Sequence, residues 1–331
     1  MSQLNFQEKV FQFSDLSFNR FDHSNFSAAE FNDVVLHAGS FKNANFDQAI
    51  LINVDLSGAD LSNASFRNTR FVNANLKNVN LSNAKFENTL FYLSNLEFAK
   101  FDDSQLHHVT FLQTKLKSTK FQYADIKHSF FHQADLRYST WIGSTMEQVD
   151  LSGANIERGD FSYGKLMQVN LAHTNLINLK ATRTLFSNIN WRESQSIGLQ
   201  IINSTLQGVD FSLTNLRESN IEESTLTKVS FSESNLELSN FSFSQLQETI
   251  FRNSDVSKAS FFRTAVISGD FVNAKSRWTS YIMTDLTDAN FDSADIFKAD
   301  FRGANLKNSQ LYNAKNLSSA IGFDKSYNYQ N

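Results

Sequence analysis

The 331-residue chain contains no cysteine, no proline and only 11 glycines. Without cysteine there is no disulfide framework, no thiolate metal site and no cysteine nucleophile. No stretch approaches the 18 apolar residues of a membrane helix, so no transmembrane segment is expected. The N-terminus, Met1-Ser-Gln-Leu-Asn-Phe, has neither a basic n-region nor an apolar h-region, and no cleaved secretory signal is expected. Charge of one sign is also lacking. Thirty-four acids oppose 30 bases, for a net charge of −4 and a pI near 6.0. That balance speaks against a generically basic nucleic-acid binder, and no direct nucleic-acid binding is expected. The Gly-rich phosphate loops, HExxH and GxSxG are absent. A soluble cytoplasmic protein is the expectation, with delivery out of the cell by a non-Sec route left open.

What the chain has in excess is phenylalanine, at 33 residues. They are not scattered. From Phe6 to Leu311 every fifth residue forms one column of 62 positions, of which 59 are large and apolar. Only Ala181, Ser196 and Ser276 depart, and 25 of the 33 phenylalanines lie in this column. Two residues earlier stands a second column, which is Ala, Ser, Thr, Val or Gly at 52 of 55 places between 44 and 314. Leu179, Ile189 and Leu199 are its exceptions. The residue between the columns is often Asp or Asn, and the two after the large residue are mostly polar.

A period of five fits neither the helix at 3.6 nor the strand at 2.0. The chain must turn after each large residue so that the next one again points inward. A solenoid with five-residue walls does this, its coils stacked at the ~4.8 Å strand spacing. A narrow residue fits beside each Phe or Leu inside, and Asp or Asn suits the corners by bonding the local backbone. Absent proline agrees, since each would delete a ladder donor.

Segments such as Ala59-Asp-Leu-Ser-Asn, Ala74-Asn-Leu-Lys-Asn and Ala304-Asn-Leu-Lys-Asn resemble the repeat of the pentapeptide-repeat family. The resemblance covers residues 4 to 321. It implies an all-β, right-handed quadrilateral parallel β-helix with four repeats per coil, hence about 15 coils and a rod roughly 72 Å long. The expected organisation is a single solenoid over 1–321, irregular near 177–202 and 274–280, with 322–331 as a C-terminal cap or loose tail. Trp278, in the second irregular segment, is expected to cover a local defect or mark a small loop.

If residues twenty apart stack, the coil has four walls, named here by their first large residues Phe6, Phe11, Leu16 and Phe21. The Phe11 wall carries apolar residues on its outside: Ile50, Ile52, Val72, Leu90, Tyr92, Leu93, Leu112 and Phe130. Over its five repeats from 49–53 to 129–133, Arg70 is the one full charge. The corresponding column of the Leu16 wall reads Ser57, Lys77, Glu97, Lys117, Arg137. Such a strip is either a self-supporting ladder or an interface. A second candidate is an acidic patch of Asp210, Glu218, Glu222, Glu223, Glu233 and Glu237. Among the seven histidines, His108 and His128 should stack on successive coils. Solvated, mutually repelling rings are the reading, and no metal or other cofactor is expected.

The resemblance implies a non-enzymatic protein-binding rod. Its most concrete version is a DNA-mimicking modulator or protector of a type II topoisomerase, bacterial DNA gyrase. A DNA mimic of this length would carry ~40 negative charges at duplex density, so only part of the rod could serve. The alternatives are a secreted effector or scaffold using the repeat as a targeting platform, and a toxin-immunity or self-resistance protein. The resemblance implies that the C-terminal end can dimerise, which leaves open a homodimer through an end coil, with Leu306, Leu311, Tyr312 and Ile321 at the C-terminal end, or through the apolar wall.

Overall fold

A computed structural model describes residues 3–323. The tail expected over 322–331 lies, from 324 on, outside the described residues. The chain forms an all-β parallel solenoid in two compact units, 1–165 and 166–331.

In the first unit, six three-residue strands line the Phe11 wall, in the order Val10–Gln12, Glu30–Asn32, Ile50–Ile52, Arg70–Val72, Leu90–Tyr92 and Thr110–Leu112. The Phe6 wall carries Ser65–Arg67, Lys85–Glu87, Gln105–His107, Asp125–Lys127 and Thr145–Glu147. In the second unit the Phe6 wall continues as Leu185–Ser187, Thr205–Gln207, Thr225–Thr227, Gln245–Gln247 and Ala265–Ile267. The other walls pair through single residues. Partners are twenty residues apart up to the last coil, as in Phe11↔Phe31 and Leu206↔Leu226, which gives the four repeats per coil. The Leu16 wall has eight rungs in each unit, 15 to 155 and 175 to 315, close to the expected coil number.

The register explains the composition. The N–H of each large residue bonds upward, as Phe6 does to the Asn25 carbonyl at 2.7 Å. The N–H before the large residue bonds downward, as Glu30 does to Lys9 at 2.9 Å. The residue two after it bonds upward again, Glu8 to Ser27, and the third closes the turn, Lys9 to Phe6. The remaining N–H often meets an Asp or Asn side chain, as Ser17 meets Asp15 Oδ1 at 2.9 Å. Proline would break one of these bonds at nearly every position.

The corner residue is the one two after the large residue. It is left-handed all along the chain, with φ near +55°, as at Asn43, Asn53, Asn63, Asn73 and Asn83. A single positive φ at the third of four residues is what a type II turn requires, and Asn tolerates it better than most side chains. Asn at this corner also forms ladders, Asn73 to Asn53 at 2.8 Å and Asn53 to Asp33 at 3.0 Å.

Inside, each aromatic ring lies over its counterpart twenty residues on. The Phe6 column has centroid spacings of 5.0, 4.9, 5.4 and 5.0 Å from Phe6 to Phe86. Ser and Thr of the small column are buried, and many are satisfied, whereas the hydroxyls of Ser24, Thr114, Ser144, Ser219, Ser239 and Thr249 have no partner among the described residues. Thr69, Thr119 and Thr264 donate to the carbonyls of Phe46, Leu96 and Phe241 in the coil below.

The irregular sequence at 177–202 and 274–280 leaves the backbone register unchanged, as in Asn175↔Gln195, Lys180↔Gln200 and Lys275↔Asp295. The reason is compensation of volume and polarity. Leu179 and Ala181 exchange size within one repeat, and both are buried. Ser196 leaves room filled by Trp191, whose Nε1 donates to Ser196 Oγ at 3.1 Å. Ser276 likewise meets the Tyr281 hydroxyl at 2.7 Å, and both are buried. Burial pushes the Tyr281 phenol upward in pKa, with the Ser276 bond opposing it. Trp278 covers no defect. It lies outside, half exposed, with Lys298 Nζ 4.3 Å from its ring centroid. The register shifts at the last coil, where the 3₁₀ turn Leu317–Ser319 adds a residue and Asp300 pairs with Ile321.

Ser276→Ala leaves the buried Tyr281 hydroxyl without a partner and should cost about 1–3 kcal/mol. Adding Tyr281→Phe should recover most of that loss. Urea unfolding midpoints of the two variants measure the difference. Equal midpoints would show that the pair does not carry the compensation.

Candidate functional site

The structure brings the eight apolar candidates of the first unit onto one outer face. Ile50, Leu90 and Phe130 share one column with Arg70 and Thr110, through Ile50↔Arg70↔Leu90↔Thr110↔Phe130. Ile52, Val72, Tyr92 and Leu112 form the next column on the same strands. Leu93 stands at the left-handed corner after Tyr92. Five rungs span roughly 19 Å. Ile50, Ile52, Val72, Leu90 and Tyr92 are half-buried, while Leu93, Leu112 and Phe130 are about half exposed. The strip is therefore a ladder over part of its length and open apolar surface along its edge.

The six acids of the second unit are not brought to one face. Asp210 and Glu233 lie on the Phe11 wall, Glu218 and Glu237 on the Leu16 wall, and Glu222 and Glu223 on the Phe21 wall. Three of them pair with cations. Asp210 meets Arg192 at 3.1 Å, Glu218 meets Arg217 at 3.2 Å, and Glu237 meets Lys258 at 2.8 Å. Glu223 accepts from Asn203 at 2.7 Å. Partial burial opposes ionisation of Asp210, but the Ser212 hydroxyl and N–H, with Arg192, hold its carboxyl below the usual range.

The His108 and His128 rings stack at 4.8 Å, with an 8° angle between their planes. Neighbouring His107 bonds Asp125 at 2.9 Å, and Asp125 also holds Lys127 at 3.1 Å. Among the described residues, no three His, Asp or Glu side chains converge as metal ligands do.

Two surface features were missed by the pattern reading. One is a set of outer aromatics with cations nearby on the Leu16 wall, Lys77 at Phe98 and Lys117 at Tyr138, each 5.7 Å from the ring centroid. The other is an exposed first coil. The trace of both is the eight phenylalanines outside the five-residue column, among them Phe13, Phe18 and Phe98.

The comparisons with known proteins agree with this geometry. A profile described as "Pentapeptide repeat region" matches residues 24–101, and "Pentapeptide repeats (8 copies)" matches 131–163, 200–232, 226–263 and 283–315. Together they cover more than half of the chain. The chain belongs to the pentapeptide repeat family. Among solved structures it is similar to HetL, a pentapeptide repeat protein involved in heterocyst differentiation regulation from the cyanobacterium Nostoc sp. strain PCC 7120. There the identity is 19%, with 98% of this chain and 93% of that one covered, at a TM-score of 0.16. QnrB1, a plasmid-mediated fluoroquinolone resistance protein, is similar at 14% identity over 63% of this chain and 93% of its own, with a TM-score of 0.27. A pentapeptide repeat protein of the Arabidopsis thaliana thylakoid lumen shares 33% identity over 30% of this chain and 67% of its own, with a TM-score of 0.19. No curated protein matches.

Carboxylates just before the large residue give this pentapeptide repeat protein an acid limit. The Arg137 fork holds the Asp135 carboxyl low at 2.6 and 2.7 Å, and Arg302 does the same for Asp300. Carboxyls lowered from 3.8 contribute stability that is complete above that value and is lost as pH falls through their folded values. Thermal unfolding should therefore be insensitive to these groups from pH 7 to about 5 and drop below about pH 4. Arg137→Gln should reduce that drop. A drop of the same size in the variant would assign the acid sensitivity elsewhere.

Proposed function

We propose that this pentapeptide repeat protein is a non-enzymatic protein-binding solenoid, acting in the cytoplasm through the apolar strip of its first unit. The observation that carries this reading is the strip itself. Eight apolar side chains share one outer face with a single full charge, Arg70, beside a wall column with four charges in five places. An apolar outer sheet face of this kind gains by excluding water against a partner. The partner to test first is a type II topoisomerase, which the family resemblance names. Electrostatic mimicry of DNA through the six acids of the second unit is the less favoured route, because they are spread over three walls and three are ion-paired.

The test is DNA supercoiling by gyrase, with and without a quinolone, titrated with purified protein at two salt concentrations. Modulation at micromolar protein is expected, little changed by salt and lost in Tyr92→Glu with Leu112→Glu while circular dichroism stays native. Modulation that fades with salt and survives this double substitution would replace the apolar strip with charge mimicry. No modulation at either salt would remove the topoisomerase.

A further inference from the structure

Stacking fixes the inside of the Phe6 wall in the first unit and leaves the order of charges on its outside free. That order is not arbitrary. The outer column just after the large residues runs Arg67, Glu87, His107, Lys127, Glu147, and the column just before them runs Ser65, Lys85, Gln105, Asp125, Thr145. Successive members stack in register, Lys85↔Gln105 and Glu87↔His107 below the middle row, Asp125↔Gln105 and Lys127↔His107 above it. The signs of both columns invert through that middle row. One row away from it, Glu87 answers Lys127 and Lys85 answers Asp125. Two rows away, Arg67 answers Glu147, while Ser65 and Thr145 are both uncharged.

This order is not general to the solenoid. The column before the large residues of the Phe21 wall reads Asp60, Asn80, Lys100, Lys120, Thr140, Asp160, stacked in the same way, and its signs repeat about the middle instead of inverting. Within one copy the charges of the Phe6 wall are incompletely used. Glu87, His107, Asp125 and Lys127 are joined in a chain at 3.8, 2.9 and 3.1 Å. Arg67, Lys85 and Glu147 make no ion pair among the described residues, and Arg67 and Lys85 are exposed.

We propose that the outer Phe6 wall of the first unit is a self-docking face, occupied by the same wall of a second copy of this chain turned over about a twofold axis along the strand Gln105–His107. That axis keeps each column facing its own copy and reverses the order of the rows. Arg67 then meets Glu147, Glu87 meets Lys127 and Lys85 meets Asp125, each twice by symmetry. Gln105 and His107 lie on the axis and meet their own copies. The only acids or fixed bases of like sign brought together are Asp103 and its copy, at the left-handed corner where the wall ends. A partner of another kind needs only the opposite pattern. A pattern that is its own opposite is what an isologous interface requires. The apolar strip on the adjoining Phe11 wall stays free.

The contact is small and polar. Five rows at ~4.8 Å on a wall of five residues give a face of about 400 Å² per copy. The long Arg and Lys side chains bring the total buried to on the order of 1,000 Å², in the range of weak, transient association. Exposed ion pairs contribute little each, so the pairing selects the face and its register, and the affinity is on the order of 100 µM.

The test is sedimentation equilibrium of the full chain from about 10 to 500 µM, in about 50 mM and about 500 mM NaCl. The wild type should form a dimer at the lower salt that weakens roughly fivefold or more at the higher. Arg67→Glu sets acid against Glu147, and Glu147→Arg sets base against Arg67. Each single variant should bind itself roughly tenfold more weakly or worse, because each repulsion occurs twice. Combined in one chain, the two substitutions restore opposite signs at both contacts, and the dimer should return to about the wild-type affinity. That recovery separates a docking role from a loss of fold. A wild type that stays monomeric, a dimer indifferent to salt or to the single substitutions, or no recovery in the combined variant overturns the proposal. Dissociation by Tyr92→Glu with Leu112→Glu would move the interface to the apolar strip, and so also overturn it. The readout is mass alone, so its failure is separate from failure of the topoisomerase reading.

Discussion

A wall of five residues cannot satisfy its own backbone, and the rest of the structure depends on that constraint. Helices close their hydrogen bonds within the segment, but here three of the five N–H groups in a typical repeat reach to the coil above or below. Stacking is therefore obligatory rather than additive. The absence of proline, the twenty-residue register and the left-handed corner at every repeat are consequences of it. So is the narrow column beside the large one. Stacked walls hold the interior at fixed width, so a second large residue from the same wall is rare, with Ile189 beside Trp191 and Leu199 beside Ile201 as buried exceptions.

Fixed walls also explain why the broken repeats do not break the fold. Because the neighbouring coils set the wall positions, a small residue at 196 or 276 cannot be accommodated by collapse. It has to be filled from the side, by Trp191 or Tyr281. Filling with those rings brings an indole N–H and a phenol into an apolar interior, which is tolerable only with a hydroxyl in reach. Serine at the vacated position supplies both the space and the hydrogen bond. The departures at 179 and 181, at 191 and 196, and at 276 and 281 are coupled pairs.

The five-residue period, the inward column and the small column were legible in the sequence, because each is a statement about which side of the backbone a residue occupies. Four repeats per coil were not. That number is set by how much each corner turns, which no residue spacing encodes, and it entered only through family resemblance. The corner position was half legible: Asn recurs two after the large residue, at 43, 53, 63, 73 and 83, and the pattern reading took it only as polar. The acidic patch looked dense along the chain because six acids fall within 28 residues, but a chain that turns every five distributes consecutive charges around its perimeter. The exposed first coil was least legible of all. Phe6, Phe11, Leu16 and Phe21 obey the same pattern as their buried counterparts, and periodicity cannot tell a coil with two neighbours from a coil with one.

The two apolar surfaces of the first unit are therefore of different physical kinds. On the Phe11 wall the backbone is already paired, and Ile52, Val72 and Tyr92 partly cover one another. What remains there is side-chain surface, whose affinity for a partner depends on shape. At the first coil the inward residues Phe6, Phe11, Leu16 and Phe21 are themselves half-exposed. The exposed Phe13 and Phe18 rings add apolar area there. The strip can be tuned residue by residue without touching the core. A scaffold built from this repeat thus keeps its core fixed by stacking and leaves its outer walls to sequence, and partner choice belongs to those walls.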